Sequence, residues 1–249
     1  MDLDDRIIPG ALVLHWVAGG VALVVAPLAM VAAKGDTWHR RWGKVFFYAM
    51  IVVTFTAIFL AVAHPEHFWL AMVAVFSFHM VGSGYRSLYL KKLHEGLKPA
   101  SVDLWLLASF KKLIRDHGTA ALFNGGLLIW GLAHLLMGDR NSKAMVFSVF
   151  GLIGTAMVVM YFSKFYRRKH DKREWFFGHM TGFLGGYIAT VSAFSAVNFG
   201  RWFPWMPGWL VWLWPTLIGA PLIALWSAYY RSRFAKGDRV RHMAKVKIR

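Results

Sequence analysis

The sequence predicts an all-α protein, a polytopic transmembrane helical bundle with seven spans, its N-terminus outside and its C-terminus in the cytoplasm. Three observations predict this fold class. Of the 249 residues, 57% are hydrophobic and only 16% charged, and the mean hydropathy is +0.45, a balance that soluble domains rarely show. Apolar runs near the roughly 20 residues that cross a bilayer recur along the chain. Basic residues lie between these runs and alternate in number from one connection to the next.

The apolar runs define one integral membrane domain over residues 1–249. The first span follows an acidic start, the reverse of a cleavable signal peptide, so we expect it to be retained. The last two spans flank a tryptophan-rich connection, as expected at a headgroup boundary. A further helix, over about 101–114, has apolar and basic faces and should lie on the cytoplasmic surface. The predicted spans are about 8–33, 45–63, 67–90, 117–137, 144–162, 176–198 and 209–231.

The distribution of lysine and arginine orients these spans. The connections on one side, together with the C-terminal segment, hold 25 of the 29 basic residues, and the other side holds four. Because basic residues concentrate in the cytoplasm, the richer side is the inner one. An odd number of spans follows.

Composition also excludes several classes of chemistry. The chain has no cysteine, which excludes disulfides, thiolate metal sites, iron–sulfur clusters and covalently attached c-type haem. The lysines and arginines that give the net charge of +17 lie between the apolar runs. We therefore expect membrane lipids as partners and no nucleic acid.

Intramembrane histidines are the main candidates for chemistry, because ionisable residues in a bilayer are costly. His15 and His134 fall near the outer surface, and His117 and His179 near the inner one. Two pairs at matching depth suit the axial ligands of b-type haems. His117 and His134, however, are 17 residues apart on one span and about 100° out of register. The alternative is that these side chains rest in the headgroup zone.

A second polar group lies on the third span. His79, Ser83 and Arg86 follow at i, i+4 and i+7 and form a stripe from mid-membrane to the cytoplasm. The stripe suits a proton path or a ligand, or else His79 hydrogen-bonds a neighbouring helix while Arg86 reaches the inner surface. Together with Pro215 and Pro221 in the seventh span, it supports a proton-coupled transporter as an alternative function.

Small residues suggest a third hypothesis. Gly178, Gly182 and Gly186 share one face of the sixth span, and Asn124 precedes two glycines in the fourth. Such faces admit close helix packing, or a flat cofactor or quinone. They also fit a non-catalytic subunit or scaffold, with a membrane-protein partner or as a homo-oligomer.

Basic and aromatic residues alternate in the first inner connection, from Trp38 to Lys44. His39, Arg40 and Arg41 there suit an anion or a lipid headgroup.

These motifs resemble a bacterial family of predicted multi-helix membrane proteins of unknown function. The resemblance rests on His15-Trp-Val-Ala-Gly-Gly, on the segment from Lys34 to Gly43 with its histidine-arginine motif, and on the run from His179 to Asn198. It covers most of the chain and implies the same topology. Together with the charge bias, it implies a multi-pass protein of a bacterial inner (cytoplasmic) membrane. In architecture alone, the chain is also similar to cytochrome b561-like proteins. The leading hypothesis is therefore a b-haem or quinone-linked electron-transfer protein.

Overall fold

The computed structural model describes residues 4–64, 68–94, 117–138, 142–166 and 173–236, and these residues are all-helical. All seven predicted spans are helices, so the all-α prediction is confirmed. The predicted surface helix at 101–114 lies outside the described residues. The helices are α1 (Asp4–Val31), α2 (Thr37–Ala63), α3 (Phe68–His94), α4 (His117–Leu136), α5 (Ser142–Tyr166), α6 (Glu174–Trp202) and α7 (Gly208–Ala235).

Helix α2 begins earlier than the sequence predicted. Its first residue is Thr37, so the basic segment from Trp38 to Lys44 is helical and the expectation of a loop there was wrong. The connection from α1 shrinks to residues 32–36, where Gly35 has a φ of 82°, a left-handed conformation that suits glycine. Because the turn is so tight, α1 and α2 form an antiparallel pair.

Five of the described helices are long and apolar enough to cross a membrane: α1 over Ile7–Val31, α2, α5 over Lys143–Met160, α6 and α7. In α4 the apolar stretch is shorter, over Asn124–Leu136. Many large apolar side chains are exposed, such as Val31 at 89% and Leu136 at 87%, as expected for helices that face lipid tails. The protein is therefore a multi-pass membrane protein.

The chain divides into two compact units. The first comprises Met1–Ser83, Thr181–Ala193 and Pro215–Arg249, and the second comprises Gly84–Met180 and Phe194–Trp214. Thus α1 and α2 belong to the first unit and α4 and α5 to the second, while α3, α6 and α7 contribute to both.

The core of the first unit is aromatic and close-packed. Phe46 and Phe47 of α2 are 1% exposed, and their rings lie 5.8 Å from Phe183 and 6.2 Å from Phe78 respectively. On α6, a Cβ added at Gly186 would collide with Val81 of α3. Glycine here lets α6 approach α3 closely, which confirms the packing interpretation of this residue.

The second unit also depends on glycine, but largely at positions that the sequence did not single out. A Cβ at Gly151 of α5 would lie 2.7 Å from the Cα of Leu128, and one at Gly131 of α4 would lie 2.8 Å from the Ala144 carbonyl. By contrast, a Cβ at Gly125 or Gly126 would meet nothing within 4 Å. The glycines that follow Asn124 are therefore not the ones that bring α4 and α5 together.

The tryptophan-rich segment between α6 and α7 is shorter and more tightly packed than an exposed loop. Only residues 203–207 there are outside α6 and α7. Trp205 is 74% exposed, whereas Trp212 is 8% exposed. The Trp214 indole donates a hydrogen bond of 3.1 Å to Ser195 Oγ and stacks on Phe199 at 5.8 Å. Part of the predicted aromatic belt thus serves as core of the second unit.

Candidate functional site

His15 of α1 is held by a hydrogen bond to α2. Its Nδ1 lies 2.9 Å from Thr56 Oγ1, and Thr56 is 8% exposed. The Thr56 hydroxyl is 2.7 Å from the Val52 carbonyl and 3.0 Å from the Val53 carbonyl, and donates to both. A hydroxyl has one proton, so the assignment that satisfies the most contacts keeps that proton on the backbone carbonyls and makes Thr56 the acceptor from His15.

This arrangement assigns the tautomer of the His15 ring. Because Thr56 accepts, Nδ1 of His15 carries the proton and donates it. The neutral ring then has its lone pair on Nε2. Histidines that ligate metals are held in this way, with the second ring nitrogen donating to an oxygen that fixes the ring's orientation. His15 is thus prepared to coordinate a metal or to accept a proton through Nε2.

Space is available beside His15 on the surface of α1. Gly19 lies one turn further along the same face, and a Cβ added there would meet nothing within 4 Å. Trp16 and Val17 next to it are 63% and 59% exposed. The site therefore opens towards the lipid rather than into a sealed core, and a flat or apolar ligand can approach it from the membrane.

His39 repeats the same geometry at the opposite end of the helix pair. Its Nδ1 lies 2.8 Å from the Ala29 carbonyl, and a carbonyl only accepts, so Nδ1 again carries the proton. His15 and Ala29 are 14 residues apart on α1, about 21 Å along its axis. The α1–α2 pair thus presents one oriented histidine in the half away from the connection at residues 32–36 and one beside that connection.

The end of the pair beside residues 32–36 also holds the predicted basic and aromatic residues. Arg40 and Arg41 are exposed, and the Arg41 guanidinium lies 5.4 Å from the centre of the Trp38 ring. Trp38 in turn stacks on Trp42 at 5.9 Å. The predicted anion-binding residues are therefore on the first turns of α2, where they are accessible.

Haem ligation requires a second imidazole at the depth of the first. Within the first unit, Thr54 lies 3.4 Å from the Ala74 carbonyl, which sets the register of α2 against α3. Thr56, the partner of His15, is two residues from Thr54 on α2, and His79 is five residues from Ala74 on α3 in the opposite direction along the helix axes. At 1.5 Å per residue, the depths of His79 and His15 therefore differ by about 10 Å. His79 therefore does not match His15 in depth, and the predicted partner His134 belongs to the second unit.

The other predicted histidines lie in the second unit. His134 of α4 is half-buried, with its ring 4.1 Å from that of Trp130. His117 is the first residue of α4, and its side chain is outside the described set. His179 lies on α6, next to Gly178, where an added Cβ would collide with Ser87. The inner pair, His117 and His179, thus shares one unit and stays a prediction.

The middle residue of the predicted polar stripe on α3, Ser83, bonds to the backbone of its own helix. Ser83 is buried, and its hydroxyl donates to the carbonyls of His79 and Met80 at 2.8 and 2.9 Å. This proton is directed to the helix's own backbone, as is common for serine in membrane helices. Arg86 is half-buried and belongs to the second unit.

Sequence reasoning missed Thr56, although a signal for it exists. If α1 and α2 are folded into a hairpin about residues 32–36, position 15 falls opposite position 53, close to the threonines at positions 54 and 56. Matching depth across the hairpin therefore predicts a threonine partner for His15. Among the described residues, no group of three or more histidine, aspartate or glutamate side chains is suited to hold a metal ion.

Comparison with known proteins adds nothing to this geometry. No protein-family model matches the chain, and no curated protein or solved structure matches it either. The resemblances described above therefore stay predictions.

Proposed function

We propose that the chain crosses a bacterial cytoplasmic membrane seven times, with its N-terminus outside. The segregation of 25 basic residues to one side supports this topology. Because the chain has no cysteine, single cysteines can be introduced and labelled without background. A cysteine at Pro204 should react with a membrane-impermeant maleimide in intact spheroplasts, whereas one at Ala33 should react only after permeabilisation. The reverse pattern would contradict the topology.

We further propose that the protein is a membrane redox protein in which His15 is an axial ligand of a b-type haem. The observation that carries this proposal is the Thr56 hydrogen bond, which leaves the lone pair of His15 on Nε2. Neutral imidazole is the ligand that b-type haem requires, and a bound haem supplies one-electron chemistry. His117 and His179, which belong to the same unit, are the predicted pair for a second haem.

A lipid-soluble quinol at the same nitrogen is the second candidate. The open space at Gly19 and the exposed Trp16 and Val17 favour it, because a quinol reaches its site from the bilayer. The unprotonated Nε2 of His15 would accept a hydrogen bond from the quinol hydroxyl. Quinol oxidation releases two electrons and two protons, and His117 and His179 would hold the predicted haem that could take these electrons one at a time.

A visible spectrum separates the two candidates. We expect protein purified in mild detergent after haem-replete expression to show a Soret band, and sharp α and β bands after reduction with dithionite. Loss of these bands on replacement of His15 assigns the haem to this residue. A coloured protein that keeps its spectrum in the His15 variant but loses binding of a quinol analogue supports the second candidate. A colourless protein that binds no quinol analogue contradicts both.

A further inference from the structure

Lys34 has an unusual position for a lysine at a membrane surface. It lies in the connection between α1 and α2, and such side chains generally extend towards water. Here the Lys34 amine turns back, donating to the Met30 carbonyl and lying 5.7 Å from the centre of the Trp226 ring on α7. Trp226 and Lys34 both belong to the first unit. The amine is therefore held on an aromatic face near the membrane boundary.

Among the described residues, Lys34 has no carboxylate beside it. No carboxylate forms an ion pair with Lys34 within the ranges that the structure describes, although Asp36 is only two residues away. Partial burial lowers the pKa of Lys34, because desolvation disfavours the charged form. Its charge also acts on the His39 imidazole. An anion beside Lys34 would favour the charged form of the amine and would reduce the effect of that charge on His39.

The surface of α7 around Trp226, next to Lys34, is apolar and accessible. Leu222 and Tyr229 lie one turn to either side of Trp226 on the same face of α7, and they are 56% and 51% exposed. Leu225 beside them is 67% exposed. A ligand with a negative group at Lys34 and a hydrocarbon chain along Leu222 would match this surface. A free anion would contact only the end of the surface at Lys34.

We propose that Lys34 and Trp226 form a binding site for an anionic phospholipid. The lipid phosphate pairs with the Lys34 amine at the inner end of α1, and one acyl chain lies along the apolar face of α7. Exposed Arg40 and Arg41 raise the local concentration of anionic lipid through their charge. The site is independent of the redox function proposed for His15, which lies in the outer half of α1.

Native mass spectrometry of the detergent-purified protein tests this site. The protein is titrated with phosphatidylglycerol and, separately, with phosphatidylcholine of the same acyl chains. We expect the first phosphatidylglycerol to bind more tightly. Lys34→Gln should weaken it about tenfold, through loss of the direct charge-assisted hydrogen bond to the phosphate. Trp226→Leu should weaken phosphatidylglycerol binding about two- to fivefold through loss of the cation–π contact. Lys34→Arg keeps the charge and should bind phosphatidylglycerol as the wild type does.

Arg233 provides a matched control on the same helix. Its guanidinium lies 5.6 Å from the centre of the Tyr229 ring, but the side chain is exposed. Arg233→Gln should change phosphatidylglycerol binding less than twofold. Equal losses in Lys34→Gln and Arg233→Gln would mean that surface charge alone attracts lipid, and would overturn the site. Displacement by inorganic phosphate, or equal binding of phosphatidylcholine, would overturn it as well. Unchanged thermal unfolding of each variant excludes misfolding as the cause.

Discussion

The helix pairs α1–α2 and α4–α5 are held together by different means. Between α1 and α2, histidine side chains bond across the pair, His15 to Thr56 and His39 to Ala29. Between α4 and α5, the absence of side chains at Gly131 and Gly151 allows the backbones to meet. Van der Waals packing through glycine is a usual way to associate helices in a bilayer, because burial of apolar surface does not drive helix association there. Ionisable groups are costly there, and the α1–α2 pair orients its two histidines by hydrogen bonds across the pair, so this pair is the better candidate for chemistry.

The largest expected effect is on the α4–α5 pair. Gly151→Leu should destabilise the protein by about 3 kcal/mol or more, because the new Cβ would overlap Leu128. Gly126→Leu on α4 is the matched control, since a Cβ there meets no atom within 4 Å, and it should change stability by about 0.5 kcal/mol at most. Thermal unfolding in detergent measures both. Equal melting temperatures for the two variants would mean that this packing does not hold the pair.

Thr56→Val should weaken the site on the α1–α2 pair. Valine keeps the shape of threonine but cannot accept from His15, so the ring loses the bond that fixes its tautomer. Loss of such a supporting bond generally costs about 10- to 100-fold in metal affinity. Haem or quinol-analogue titration of the purified protein measures this loss. Thr56→Ser, which keeps the hydroxyl, is the control. If valine and serine bind alike, the hydrogen bond has no role in the site.

The smallest expected effect is that of His15→Leu on stability. Thr56 can still donate to Val52 after the ring is gone, so no buried donor is left without an acceptor. We expect the free energy of unfolding of the ligand-free protein to change by about 1 kcal/mol or less. A loss as large as that expected for Gly151→Leu would instead identify His15 as a structural residue, and the contrast between the two pairs would fail.

Sequence reasoning predicted the helices well because apolar runs of span length have few alternative structures. It was least accurate at helix ends, where α2 continues through Trp38 and Lys44 although these residues lie outside the hydrocarbon. Helical hydrogen bonds satisfy the backbone in either environment, so hydropathy alone does not mark the end of the helix.

The candidate site was less predictable for a related reason. His15 stands out in the sequence because an ionisable residue in a span is rare, but Thr56 is an ordinary residue in an apolar run. Its importance depends on register across the hairpin. The contact between Lys34 and Trp226 joins residues nearly 200 positions apart, and no local pattern contains that information.

The most direct test of this account compares His15→Leu with His39→Leu in the dithionite-reduced visible spectrum. Both variants remove a histidine whose Nδ1 is bonded across the same helix pair, but only His15 lies at the proposed redox site. The account predicts sharp α and β bands in the wild type and in His39→Leu, and their loss or marked decrease in His15→Leu. Identical spectra for the two variants, or a wild-type protein without haem bands, would contradict the assignment of His15 as a haem ligand.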